Sequence, residues 1–150
     1  MSTSFHLAQL NIGRIRGPMQ SPIMAEFAQA LDEINALAER SPGFVWRLKD
    51  DSGNATAIQA FADPLNLVNL SVWSSVEALK DYVYKSVHGK FFARRQAWFE
   101  KSDSPHLALW WIPAGNLPTV AEAKERLEYL TLHGPTAHAF TFRQPFPPPA

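Results

Sequence analysis

Residues 5–12, FHLAQLNI, alternate in character: Ala8, Leu10 and Ile12 fall on one side of an extended chain, and Gln9 and Asn11 on the other. The pattern predicts a strand whose two faces differ. After the loop RGPMQSP, Ser21 and Pro22 supply a helix start, and Ile23, Phe27, Leu31, Ile34 and Leu37 or Ala38 recur at helical spacing until SPG at 41–43 stops it. FVWRL (44–48) and ATAIQAF (55–61) flank KDDSGN, whose turn-forming residues predict a hairpin. LVNLSVW (67–73) predicts a further strand, with Val68, Leu70 and Val72 opposite Asn69, Ser71 and Trp73.

Ser74 and Glu77 have capping-box spacing and predict a helix directly after that strand, with a second helix over 84–100. HLALWWI (106–112) predicts a strand ended by Pro113, Thr119 and Glu122 open another helix that stops at Gly134, and HAFTF (138–142) predicts a last strand. This order predicts an α+β fold: a ferredoxin-like antiparallel sheet with helices on one face. One domain over 1–143 and a proline-rich tail over 144–150 follow. The tail either meets a polyproline reader or is simply an end that cannot form helix.

The segment YKSVHGKFFARRQAWFE (84–100) changes the picture. On a helix, Tyr84, Val87, His88, Phe91, Phe92, Arg95, Trp98 and Phe99 share an arc of roughly 140°, with His88 and Arg95 near its centre and about 10 Å apart along the axis. An inward guanidinium must meet a carboxylate, backbone carbonyls, an aromatic face or an anionic ligand. Two readings stay open. His88 hydrogen-bonds a strand carbonyl or Asn69 and Arg95 pairs with an acid or emerges at the sheet edge; or the pair frames a site for a flat apolar molecule with an acidic end. Gln9, Asn11, Asn69 and Ser71 would line that site if their sheet face meets the helices, and need no functional account if it faces solvent or a partner.

Composition narrows the classes. Lys plus Arg balances Asp plus Glu at 14 each, so nothing points to nucleic acid or an anionic membrane surface. The chain has no cysteine, which excludes disulfides, thiolate metal sites and cysteine nucleophiles. His6, His106, His133 and His138 have no metal-ligand spacing, and no phosphate loop or nucleophile elbow is present, so no metal is expected. Arg14 and Arg16, beside Gly13, are either an anion grip near the mouth of the sheet or solvated loop arginines. No signal-peptide pattern opens the sequence, and a cytoplasmic location is expected.

The stretches PGFVWRL, VNLSVWSSVEALKDYVYKSVHGKFFARRQAWF, LALWWIPAGNLPTVAEAKERL and HGPTAHAFTF resemble a bacterial domain-of-unknown-function family of the dimeric α/β-barrel superfamily, over nearly the whole chain. The resemblance implies a ferredoxin-like protomer that pairs sheet to sheet into a homodimer, which would explain apolar residues on both strand faces. That superfamily includes antibiotic-biosynthesis monooxygenases, which use neither metal nor flavin and oxidise an activated polycyclic substrate in an apolar pocket between sheet and helices. It also includes haem proteins. The layout from SVWSSVEALKDYVY to VHGKFFARRQAWF is similar to spheroidene monooxygenase, a haem-dependent carotenoid oxygenase. That likeness implies His88 as axial ligand, with Arg94 or Arg95 meeting a propionate.

The leading expectation is a small-molecule pocket between sheet and helices, in a homodimeric, monooxygenase-like enzyme of secondary or xenobiotic metabolism. His88 would be base or hydrogen-bond donor and Arg95 an anionic anchor. Asn69 and Trp73 would line the sheet side, and Tyr84, Phe91 and Trp98 would supply aromatic walls. The alternatives are a haem-binding protein using His88, Arg94 and Arg95, and a non-catalytic ligand-binding or structural homodimer. The cofactor is accordingly none or haem, and the partners are a second copy and a small molecule.

Overall fold

The alternation in residues 5–12 is realised as β1 (Phe5–Arg14), which runs between β3 (Asn66–Trp73) and β4 (Leu107–Pro113) and pairs antiparallel with both. The computed structural model describes residues 4–49, 61, 63, 65–85, 98–100 and 106–149. Among these, a short β2 (Phe44–Arg47) joins the far edge of β3, giving a four-stranded antiparallel sheet in the order β2-β3-β1-β4. A 3-10 turn at Pro22–Met24 leads into α1 (Ala25–Arg40); α2 (Val76–Lys85) follows β3, and α3 (Val120–His133) follows β4. The expected second hairpin strand falls mostly outside the described residues, as does the helix expected over 84–100 beyond its two ends.

Local chemistry sets the element ends. Thr119 caps α3, its hydroxyl accepting from the Glu122 backbone N–H at 3.1 Å. At α2 the capping hydroxyl is that of Ser75, which accepts from the Ala78 N–H at 3.1 Å, so the helix starts one residue later than the Ser74 spacing predicts. Gly43, in the turn between α1 and β2, has φ of 85°, and a Cβ there would lie 2.5 Å from that of Ala78. Glycine is needed at this point on both counts.

Each sheet face is covered by this chain. Ala8, Leu10, Val68, Leu70, Val72, Ala108, Trp110 and Ile112 pack with Ala123, Leu127 and Leu130 of α3. On the opposite face Leu7, Trp73 and Leu109 pack with Ala38 of α1 and Leu79 of α2. The expectation of helices on one face therefore holds for α1 and α2 but not for α3. An apolar face of this size must be removed from water, and α3 does that within the protomer. A sheet-to-sheet dimer is not required to explain why both faces are apolar.

A separate cluster of Ile15, Met24, Phe27 and Trp98 closes the far end of β1. After α3 the chain crosses the open edge of β4. Leu109 and Phe140 exchange backbone hydrogen bonds of 2.9 and 2.8 Å, and Trp111 Nε1 donates to the Phe146 carbonyl at 2.9 Å. The strand expected over 138–142 is this single bridge, and the tail is anchored as far as Phe146. Covering the edge removes a template for strand addition.

Leu130 is 3% exposed beneath α3. Leu130→Ala is expected to lower stability by about 2–5 kcal/mol through lost burial and the cavity left behind, measured as a shift in the urea midpoint with unchanged slope.

Candidate functional site

The register of the sheet builds a floor under α1 and α2. Arg47 lies opposite Ser71, Ser71 opposite Gln9, and Gln9 opposite Leu109, so these residues form one row across the four strands. The next row holds Asn69, Asn11 and Leu107. On the other side of the polar row, Phe44, Trp73, Leu7 and Trp111 make an apolar one. The polar face of β1 and β3 thus meets the helices, the condition under which Gln9, Asn11, Asn69 and Ser71 were expected to line a pocket.

A cavity of about 190 Å³ lies between this floor and the helices. Its roof comes from Ile34, Asn35 and Ala38 of α1 and from Leu79, Tyr82, Val83 and Tyr84 of α2. His106, Leu107 and Phe142 close one side, and an outer shelf of Lys80, Thr141 and Arg143 continues from them.

The floor is hydrogen-bonded within itself. Gln9 Nε2 donates to Ser71 Oγ at 2.7 Å and to Asn69 Oδ1 at 3.1 Å, and Trp73 Nε1 donates to Ser71 Oγ at 2.9 Å. Both hydrogens of the Gln9 amide and the indole N–H are therefore committed. Within this net the Gln9 carbonyl oxygen and the Asn69 amide nitrogen carry no bond, leaving one acceptor and one donor. Trp73 is 1% exposed, stacked on Tyr82 at 5.1 Å and met edge-on by Phe44 at 5.4 Å, so it stiffens the wall and offers a ligand only its margin.

Among the described residues that line the cavity, Arg47 is the one arginine or lysine. Its side chain is 13% exposed, Nη2 reaches Glu39 Oε1 at 3.5 Å, and Nε is buried with no hydrogen-bond partner among the described residues. The sequence reading missed it because a bulge between Phe44 and Trp46 breaks the alternation. Without the bulge, Phe44, Trp46 and Leu48 would share a face; with it, Trp46 turns to the α3 side and Arg47 joins Phe44 in the cavity. The signal present in the sequence was an arginine between two large apolar residues in a strand. Burial pushes the Tyr82 phenol well above its ordinary value near 10, the Arg47 charge offsetting this only in part. Tyr82 is thus a neutral hydroxyl at physiological pH, donating to the Ile34 carbonyl at 3.3 Å.

Of the residues expected at the site, Asn69, Trp73 and Tyr84 line the cavity, with Tyr84 58% exposed at its mouth. Trp98 lies instead in the cluster with Phe27, 5.4 Å ring to ring, and is not part of the lining. His88, Phe91, Arg94 and Arg95 lie outside the described residues. Arg14 is held between Asp63 and Glu100 at the far end of β1, an exposed arrangement of paired charges rather than an open anion grip.

A family model described as a domain of unknown function, DUF3291, matches residues 6–150. The chain belongs to the DUF3291 family. Among curated proteins, none matches it. Among solved structures, it resembles the NE2512 protein of unknown function from Nitrosomonas europaea, at 15% identity over 79% of this chain and 99% of that one, with a TM-score of 0.51. It is also similar to SnoaB, a cofactor-independent oxygenase from Streptomyces nogalater, at 18% identity over 77% of this chain and all of that one, with a TM-score of 0.49. At 15% identity the likeness to the Nitrosomonas europaea protein speaks for the fold alone, and the ferredoxin-like α+β plan of this DUF3291 chain agrees with it.

Two outcomes test the DUF3291 site geometry. Ser71→Ala leaves the Gln9 and Trp73 donors buried without their acceptor and is expected to cost about 1–3 kcal/mol in urea denaturation. The Tyr82 contribution has a definite pH window. Its folded pKa lies above that of an unfolded tyrosine, so the stabilisation is fully present below pH about 10 and is lost as pH rises from there towards the folded value. Tyrosinate absorbance should show a late-titrating component in the wild type that is missing in Tyr82→Phe.

Proposed function

We propose that this chain binds a small apolar or aromatic molecule in the cavity between the sheet and the α1–α2 layer, and acts on it as a monooxygenase-like enzyme of secondary or xenobiotic metabolism. The observation that carries the reading is the hydrogen-bonded net Gln9–Ser71–Asn69 on the cavity floor, in mid-sheet. Packing alone would be served by an apolar floor, whereas a few convergent polar groups in an apolar cavity are the equipment of a ligand site.

The oxygenase step is what the resemblance to the dimeric α/β-barrel superfamily implies for such a cavity. A methylene activated by an adjoining carbonyl or phenol gives its proton to a base, and the carbanion passes its electrons to dioxygen. One oxygen atom stays on that carbon as a ketone, and the other leaves as water with the two hydrogens. In this reading His88 is the base and Arg95 an anionic anchor, the roles expected from the pattern of residues 84–100. A homodimer belongs to the same reading, through surface other than the sheet face that α3 covers, or with α3 displaced.

Mass spectrometry of small molecules released from the denatured wild type should identify a retained compound. Asn69→Trp, which fills the cavity from an exposed floor position, should lose about 90% or more of it while keeping its circular dichroism spectrum, as expected when a ligand's site is blocked. The same compound should drive oxygen uptake in the wild type and not in His88→Ala. Retention equal in wild type and Asn69→Trp would sink the proposal.

A further inference from the structure

The chain as a whole is electrically neutral, whereas the described residues that line the cavity are positive in balance. Among the described residues, the cavity and its outer shelf carry Arg47, Lys80 and Arg143, and no aspartate or glutamate. One of these cations is inside. Arg47 is largely but not fully buried in the row opposite Ser71, its Nε is enclosed with no hydrogen-bond partner among the described residues, and its ion pair with Glu39 is a long 3.5 Å contact to a side chain 42% exposed. An exposed carboxylate at that distance compensates a largely buried guanidinium weakly. A guanidinium is a rigid fork of donors that cannot shed its charge, so a desolvated one with unused donors favours an anionic oxygen beside it.

We propose that the cavity takes an aromatic acid, with the flat body between the floor and Tyr82 and the ionised oxygen at Arg47. This rests on the cavity being a ligand site, as argued above, and specifies what it selects. Asn69 supplies a further donor, its amide nitrogen having no hydrogen-bond partner among the described residues. Lys80 and Arg143 on the shelf present positive charge at the entrance, where it attracts anions without binding them in a fixed geometry. The neutral Tyr82 hydroxyl adds no negative charge to oppose the ligand. A cavity of about 190 Å³ limits the body to a size near two fused rings.

The test uses 2-naphthoate and its uncharged amide, 2-naphthamide, titrated calorimetrically into the intact protein. The wild type is expected to bind the acid about tenfold or more tightly than the amide, as a charge-assisted contact should. Arg47→Gln should bring the acid to within about twofold of the amide and leave amide binding unchanged; Arg47→Lys, which retains the charge but not the fork, should keep part of the preference. Equal wild-type affinities, or a preference that survives Arg47→Gln, would overturn the assignment of Arg47 while the cavity still stands as a binding site. Binding of neither compound would remove the cavity reading as well. If Arg47→Gln does not fold, the wild-type comparison and Arg47→Lys decide.

Discussion

The pairing register of β1 with β3 is the constraint on which the molecule depends. Gln9 opposite Ser71 and Asn11 opposite Asn69 bring every polar mid-strand residue of the pair to one face, and Ala8, Leu10 and Ile12 opposite Val72, Leu70 and Val68 bring the apolar ones to the other. A slip of one residue would reverse both faces of one strand. It would set amides against the apolar face of α3 and leave the cavity without its hydrogen-bonded floor. The net among Gln9, Asn69, Ser71 and Trp73 locks the register from the polar side, while the α3 cluster locks it from the apolar side.

A single irregularity converts that floor into a charged one. The bulge between Phe44 and Trp46 sends Trp46 to one face and Arg47 to the other, extending the row of Ser71 and Gln9 with a guanidinium. Gly43 fixes where β2 begins, its carbonyl accepting from the Ser74 N–H at 2.7 Å, so β2 is tied to the start of α2. The position of Arg47 therefore depends on a backbone turn and a bulge.

The C-terminal third isolates the sheet. With α3 over the apolar face and the segment through Phe140 and Phe146 along β4, both the face and the edge most open to association are covered. The same segment continues to Phe142 and Arg143 beside the cavity, so the chain that shields the sheet also forms part of the mouth.

Element types were legible in the sequence because they follow from period and punctuation. The alternation of β1 and β3, the Thr119 cap and the SPG stop after α1 are each decided within a few residues. So was the polar identity of Gln9, Asn69 and Ser71, and their usefulness if helices met them. Which layer would cover which face was not legible, because both faces of the sheet offer apolar surface and burial is non-directional. Nor was Arg47, whose side depends on a bulge that pattern alone does not reveal, nor the separation of Trp98 from the cavity, since a helical arc gives direction but not neighbours. The sequence by itself determined the strands, the helices and the chemical character of the sheet's two faces, since these are local properties. Only the tertiary structure decided that α3 buries one face, that the polar face lies under α1 and α2, and that a largely buried arginine completes it, because these are choices between surfaces far apart in the chain.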